Sequence, residues 1–143
     1  MITFELITLD GVKFTEECYE VLLPTPQGQI AIFPEHAPLI SVASPGVISV
    51  RKRQGDKDDQ LLHFASDGGL IEIDDKRVRL LADVAEEAND IDEAKSKEAL
   101  KRAKELQRQA TSQVALADAT ALIERHAAQI KVAELKRRTR KNR

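Results

Sequence analysis

The feature that most restricts this chain is a change of hydrophobic period near residue 90 of its 143. Upstream, Ile2, Phe4 and Leu6 alternate with Thr3 and Glu5. Ile48 to Val50, Leu62 with Phe64, Ile71 with Ile73 and Val78 with Leu80 continue short apolar runs of period near two, each the size of a strand. Turn chemistry separates them, at Asp10-Gly11, Pro24-Thr25-Pro26, Gln27-Gly28, Pro45-Gly46, Gln54-Gly55-Asp56, Asp67-Gly68-Gly69 and Asp74-Asp75. Glu17 to Val21 reads as a further strand with Cys18 inside it. Seven or more such runs with no helical pattern among them predict an antiparallel β-sandwich or flattened barrel.

From Asp90 the period becomes helical. Asp90 with Glu93 has the spacing of a capping box, and Ile91, Ala94, Ala99 or Leu100, Ala103, Leu106 and Ala110 recur every three to four residues. Thr111 and Ser112 offer a hydroxyl cap for a second helix, whose stripe runs through Leu116, Ala119, Ile123, Ala127, Ile130 and Ala133. Two helices of similar length on so short a connection must run antiparallel. The expected architecture is α+β: an antiparallel β-sandwich over residues 1–86 and a two-helix hairpin over 87–143.

Alanine supplies 11 of the 53 residues after Asp90, and aromatics supply none. At about 25 cal/mol per Å² of apolar burial, an alanine seam contributes far less than a leucine seam. The hairpin is therefore expected to be marginally stable and able to leave its docked position, the alternative being a permanently docked hairpin.

Charge divides at the same place. Residues 1–90 carry 8 basic and 17 acidic side chains, net −9, while residues 91–143 carry 14 and 7, net +7. The basic excess gathers at the end, in Lys131, Lys136, Arg137, Arg138, Arg140, Lys141 and Arg143, opposed there by Glu134. Such a face suits an anionic partner or is a solvated helix end. Nucleic acid is disfavoured as that partner, because Phe4, Phe14, Tyr19, Phe33 and Phe64 all lie in the other, acidic half and cannot stack on bases.

Catalytic patterns are missing: there is no GxxxxGK loop, GxGxxG, HExxH or GxSxG. The single cysteine, Cys18, excludes an intramolecular disulfide and any multi-cysteine metal site, and with no His or Lys beside it reads as a small strand residue rather than a nucleophile. His36, His63 and His126 are too scattered for a local metal motif. The longest uncharged run, His36 to Val50, is shorter than the roughly 18 apolar residues of a spanning helix and is interrupted by Pro38 and Pro45. Met1 leads directly into strand pattern, so no signal or transit peptide is expected.

Three segments, in order, are similar to one family. Gln27-Gly28-Gln29-Ile30-Ala31-Ile32-Phe33-Pro34-Glu35-His36-Ala37-Pro38-Leu39-Ile40 resembles GELGILPGHAPLL, and Pro45-Gly46-Val47 follows as its PGV. Gly68 to Ile73 and Val78 to Asp83 resemble GGFLEV and VTVLAD, and Asp90-Ile91-Asp92-Glu93-Ala94 opens the helical part. By these the chain resembles the epsilon subunit of the bacterial F-type ATP synthase.

The resemblance implies a non-catalytic subunit that rides on the rotor. Its sandwich would bind the gamma subunit and rest on the ring of c subunits, coupling proton-driven rotation to the catalytic head of alpha and beta subunits, peripheral to the cytoplasmic side of the membrane. Gln29 and His36 take the positions implied for the c-ring edge, where the family usually has Glu at Gln29 and Gly at Ala31 and Glu35. The helices would dock on the sandwich or extend into the head and inhibit ATP hydrolysis, with Lys131, Lys136, Arg137, Arg138 and Arg140 meeting an acidic segment of the beta subunits. Some family members bind ATP on the docked hairpin through I/L-D-x-x-R-A. Ile91 and Asp92 match, Lys95 replaces the Arg and Ser96 the Ala, Arg125 aligns with a nucleotide-contacting Arg, and Gln129 replaces another. Lys lacks the planar fork of Arg, so ATP binding is expected to be weak or absent and no resident cofactor is expected. The alternative is a free ATP-sensing module that opens and closes with nucleotide.

Overall fold

The computed structural model describes residues 1–142; Arg143, the end of the basic tail, lies outside them. Ten strands come first: β1 Ile2–Thr8, β2 Gly11–Cys18, β3 Glu20–Thr25, β4 Gly28–Ile32, β5 Leu39–Ala43, β6 Gly46–Arg51, β7 Leu62–Ser66, β8 Gly69–Ile73, β9 Arg77–Leu81 and β10 Ala85–Glu87. Two helices follow, α1 Glu93–Gln109 and α2 Gln113–Lys141.

The strands form two five-stranded sheets, β2-β1-β9-β8-β5 and β10-β7-β6-β3-β4. Alternation places Ile2, Phe4 and Leu6 of β1 inward, against Val78, Leu80, Ile71 and Ile73 of their own sheet and Val21, Leu23, Ile48 and Val50 of the other. Each of these buried side chains contributes about 1.5–3 kcal/mol, which makes this sandwich core the main source of stability. Phe14 bridges the sheets, with its ring centroid 5.9 Å from Phe4 and 5.2 Å from Phe64.

Several expectations need correction here. Glu17 to Val21 is not one strand: β2 ends at Cys18 in the first sheet and β3 begins at Glu20 in the second, so Tyr19 is the corner where the chain changes sheets. Cys18 before the corner and Val21 after it are both buried and apolar, which is why the run looks continuous. The sandwich is not wholly antiparallel, since β1 pairs with β9 in parallel, Phe4 opposite Val78 and Leu6 opposite Leu80. These strands are far apart in sequence and no hairpin dictates their direction. The helices are also unequal, 17 residues against 29.

Asp92, rather than Asp90, caps α1, its carboxylate accepting from the Lys95 N–H at 3.2 Å. Residues Ala88–Asp90 form a 3-10 turn, which moves the helix start two residues on. Ser112 caps α2 as the hydroxyl pattern predicts, accepting from Ala115 N–H at 3.1 Å. Antiparallel packing brings Gln107 to Thr120 and Ser96 to Gln129. The buried residues of the seam are Ser96 and Ala103 on α1 with Ala119, Ala128, Gln129 and Val132 on α2, whereas Ala94 and Ala127 of the expected stripes are exposed. On the sandwich, Ala128 and Val132 press on Ala65 of β7, flanked by Val47, Ala88 and Ile91. This is a narrow apolar contact beside the sandwich core.

Candidate functional site

Three regions of the surface carry chemistry. The first is the β4 edge and the loop after it. Gln29 lies exposed on β4, opposite Pro24 of β3, and β4 is an edge strand. Beyond β4, Pro34 and Glu35 form a turn closed by the His36 N–H donating to Phe33 O at 3.2 Å, with Glu35 at φ 66°. Proline in the second position and a positive φ in the third are the marks of a type II turn. His36 Nδ1 lies 2.7 Å from Ala37 O and donates to it. Gln29 and His36 thus flank one edge strand and its turn.

The second region is the outer face of the first sheet. In register across it run Val42, Leu70, Leu81, Ile7 and Val12, one residue from each of the five strands. Val42 is 58% and Val12 64% exposed, and Ile40 beside them 74%. The adjacent row is ionic: Arg79 donates to Glu5 at 3.0 Å and to Glu72 at 3.2 Å. An apolar strip next to a row of paired charges, on a sandwich whose inner core is already filled, is a docking surface in its chemistry.

The third region is the hairpin. Between β10 and the helices lies a cleft of about 580 Å³ whose walls include Glu86, Asp92, Lys95, Arg102, His126 and Gln129. Asp92 is engaged as a cap, and Lys95 is exposed. Ile91 packs instead on the small apolar cluster with Ala65 and Val132. Arg125 does not line the cleft, and its Nε is buried without a hydrogen-bond partner among the described residues. Of the four nucleotide candidates, the structure therefore gathers Asp92 and Lys95 and leaves Ile91 and Arg125 apart.

The basic residues of α2 are also divided. Lys131, Arg138 and Arg140 are exposed. Arg137 is held by Glu93, and Lys136 is half-buried with Arg140 in a groove beside Leu62 and His63. Burial around Glu93 opposes its ionisation, but Lys97 and Arg137 outweigh it and hold the carboxyl below its ordinary range. His63, half-buried and 2.9 Å from Ser49 Oγ, is pushed below its ordinary pKa by burial.

Neither histidine nor cysteine chemistry forms a further centre. No group of three or more His, Cys, Asp or Glu side chains suited to a metal occurs among the described residues. Cys18 is fully buried, and burial pushes its thiol up to about 11, so it is not a thiolate at neutral pH.

The family model for the ATP synthase delta/epsilon chain β-sandwich domain matches residues 1–88. The chain belongs to that family. Its helical part is covered too: an ATP synthase epsilon chain of Herpetosiphon aurantiacus is 33% identical over 136 residues, spanning 95% of this chain and 96% of its own. ATP synthase epsilon chain 2 of Ralstonia nicotianae is 36% identical over 141 residues, spanning 95% and 99%. Among solved structures, a chain of the mitochondrial ATP synthase of Euglena gracilis superposes with a TM-score of 0.76 at 18% identity, covering 93% of this chain and 81% of that one. A chain of the Tetrahymena thermophila mitochondrial ATP synthase central stalk and c-ring superposes at 0.62 and 11%, covering 92% and 96%. At those identities the structures speak for the fold.

Relative to the epsilon pattern, the Glu35 departure now has a physical meaning, because the position needs a left-handed backbone that glycine adopts freely. Sequence reasoning missed the apolar strip and the Gln129 contacts. A signal for the strip exists in the doublets Leu6-Ile7, Leu70-Ile71 and Leu80-Leu81, where alternation fails because both faces of the sheet are apolar at that row. No helix among the described residues is long and apolar enough to cross a membrane.

Proposed function

We propose that this protein is a non-catalytic central-stalk subunit of a bacterial proton-translocating F-type ATP synthase. It couples rotation to ATP synthesis and restrains ATP hydrolysis through its C-terminal helices, and it is held at the cytoplasmic face of the membrane by its partners. The observation that carries the reading is the five-strand apolar strip from Val42 to Val12 on the outside of a completed sandwich, which suits a broad, permanent protein contact. The gamma subunit is the partner assigned to that strip. Gln29 and His36, on the β4 edge and its turn, are assigned to the c-ring, and the exposed cations Lys131, Arg138 and Arg140, with Lys136 and Arg137 once freed, to the acidic surface of the catalytic head.

The test has two arms. Leu81→Glu is expected to abolish co-purification with gamma, and retention of gamma would overturn the assignment of the strip. Truncation after Asp90, which keeps β10 paired with β7, is expected to raise ATP hydrolysis by the assembled complex. Unchanged hydrolysis would remove the inhibitory role.

Nucleotide sensing through the cleft is the second reading. Lys95 and Arg102 favour it, while Glu86, Asp90, Asp92 and Glu98 line the same walls and repel phosphate. Ile91 and Arg125 stand away from the cleft, so affinity for ATP is expected to be weak. Calorimetry of the isolated chain with ATP measures it, and micromolar binding would promote this reading.

A further inference from the structure

Gln129 is a buried polar side chain at the junction of three elements. Its Nε2 donates to Glu86 Oε2 of β10 at 2.9 Å, and its Oε1 accepts from Ser96 Oγ of α1 at 3.1 Å. His126 Nδ1, one turn earlier on α2, lies 2.8 Å from the same oxygen and donates to it. Two donors converging on the oxygen leave the amide nitrogen one direction, toward the carboxylate. Every hydrogen bond in the set is made by this chain's own side chains, and the Glu86 bond crosses from hairpin to sandwich.

The remaining attachment of hairpin to sandwich is an apolar seam of α2 along β6 and β7. Val132 is fully buried, and it and Ala128 meet Ala65 with the partly buried Val47, Ala88 and Ile91, most of them small side chains. A hydrogen bond to a carboxylate is stronger than a neutral one, and this one is part-buried, so removing its donor takes a charge-assisted partner from Glu86. The polar contact is directional where the seam is not. The cleft around it carries Glu86, Asp90, Asp92 and Glu98 against Lys95 and Arg102. Nearby charge would thus deepen the penalty for any further negative group.

We propose that Gln129 is a latch whose amide, clamped by Ser96 and His126, ties the helical hairpin to β10 through Glu86 and sets how often the hairpin leaves the sandwich. The inference rests on the reading that the hairpin does leave it in the working protein. Release of the latch frees α2 as a unit and, with it, the basic residues that face the sandwich and α1.

The experiment uses the full chain with spin labels on cysteines placed at Lys57 and Lys131, both exposed, while native Cys18 stays buried and unlabelled. Gln129→Glu keeps the shape and replaces the donor by a second carboxylate facing Glu86. At neutral pH it is expected to lower the ratio of docked to open hairpin by about tenfold or more. Adding Glu86→Gln restores a donor on the opposite side and is expected to return the docked distance. Tyr19, the chain's one tyrosine, packed on Phe33, reports by fluorescence that the sandwich stays folded in both variants.

A hairpin that stays docked in Gln129→Glu overturns the latch, as does a double variant as open as the single one. An already open hairpin in the parent chain overturns it as well. If Gln129→Glu opens the hairpin while hydrolysis by the assembled complex is unchanged, the latch stands and the inhibitory reading falls.

Discussion

Arg137, near the end of α2, holds Glu93, in the first turn of α1, with one guanidinium nitrogen 3.0 and 2.9 Å from the two carboxylate oxygens. Lys97, one turn along α1, approaches the same carboxylate at 3.3 Å. The pair closes the open end of the hairpin and neutralises the charge of one of the cations assigned to the catalytic head, although its side chain is exposed. Release of α1 from α2 would therefore unpair that cation in the same movement.

A direct consequence is a titration. Because the two cations favour the charged form, the Glu93 carboxyl is expected to titrate below its ordinary range by NMR, and Arg137→Ala to move it back up. The sign follows from the lowered value: the contact stabilises the docked hairpin above the ordinary carboxylate pKa and is lost as pH falls through the folded-state value. A Glu93 midpoint unmoved by Arg137→Ala would show that the pair does not form in solution.

His63 predicts the behaviour at milder acidity. Burial lowers its pKa, so the unfolded chain binds a proton before the folded one does. Stability should hold above pH about 6.5 and decline as pH falls from there to the folded-state value, below which the loss is complete. Urea midpoints taken in steps across this range should show the decline, and His63→Gln should flatten it. An equal slope in both proteins would contradict the assignment.

Gly69 is where the sandwich is least tolerant. A Cβ there would lie 2.0 Å from Leu81 O, on a backbone at φ 145°. The obstacle is main chain of the neighbouring strand and cannot turn aside. Gly69→Ala is expected to cost at least about 3 kcal/mol, read from the shift of the denaturation midpoint at constant m-value. A loss below 1 kcal/mol would mean that β8 and β9 separate more easily than their pairing implies.

The turn after β4 predicts a gain. Glu35 sits at φ 66°, a conformation costing an L-residue about 1–2 kcal/mol, part of which glycine returns through the greater freedom of its unfolded chain. Glu35→Gly is expected to stabilise the protein by about 0.5–1 kcal/mol, and Glu35→Val to destabilise it. Thermal denaturation of the two variants decides. A stabilised valine variant would show that the turn is not left-handed in solution.

Much of this protein could be read along the chain. Period two through Ile2, Phe4 and Leu6, through Ile71 and Ile73 and through Val78 and Leu80 names inward-facing residues correctly, because alternation is a property of a strand itself. Ser112 as the second cap and the small-residue character of the hairpin are equally local. The first cap was harder: Asp90 and Asp92 both have suitable side chains, and the 3-10 turn at Ala88–Asp90 decides between them.

Local pattern was thus enough for the inward-facing residues of the strands, for the change from strands to helices and for the family resemblance, but not for the buried face of the hairpin, where Ala94 and Ala127 are exposed and Ala128 and Val132 are buried. It took the assembled sheets to make Tyr19 a corner between them, to lay β1 parallel to β9, and to bring Val42, Leu70, Leu81, Ile7 and Val12 into one strip. The tertiary structure also decided that Gln129 meets Glu86 and Ser96, 43 and 33 residues away. Periodicity reports the orientation of a side chain about its own strand or helix. Which strands and helices become neighbours is settled by burying the apolar area of the whole chain at once, and that sum has no local signature.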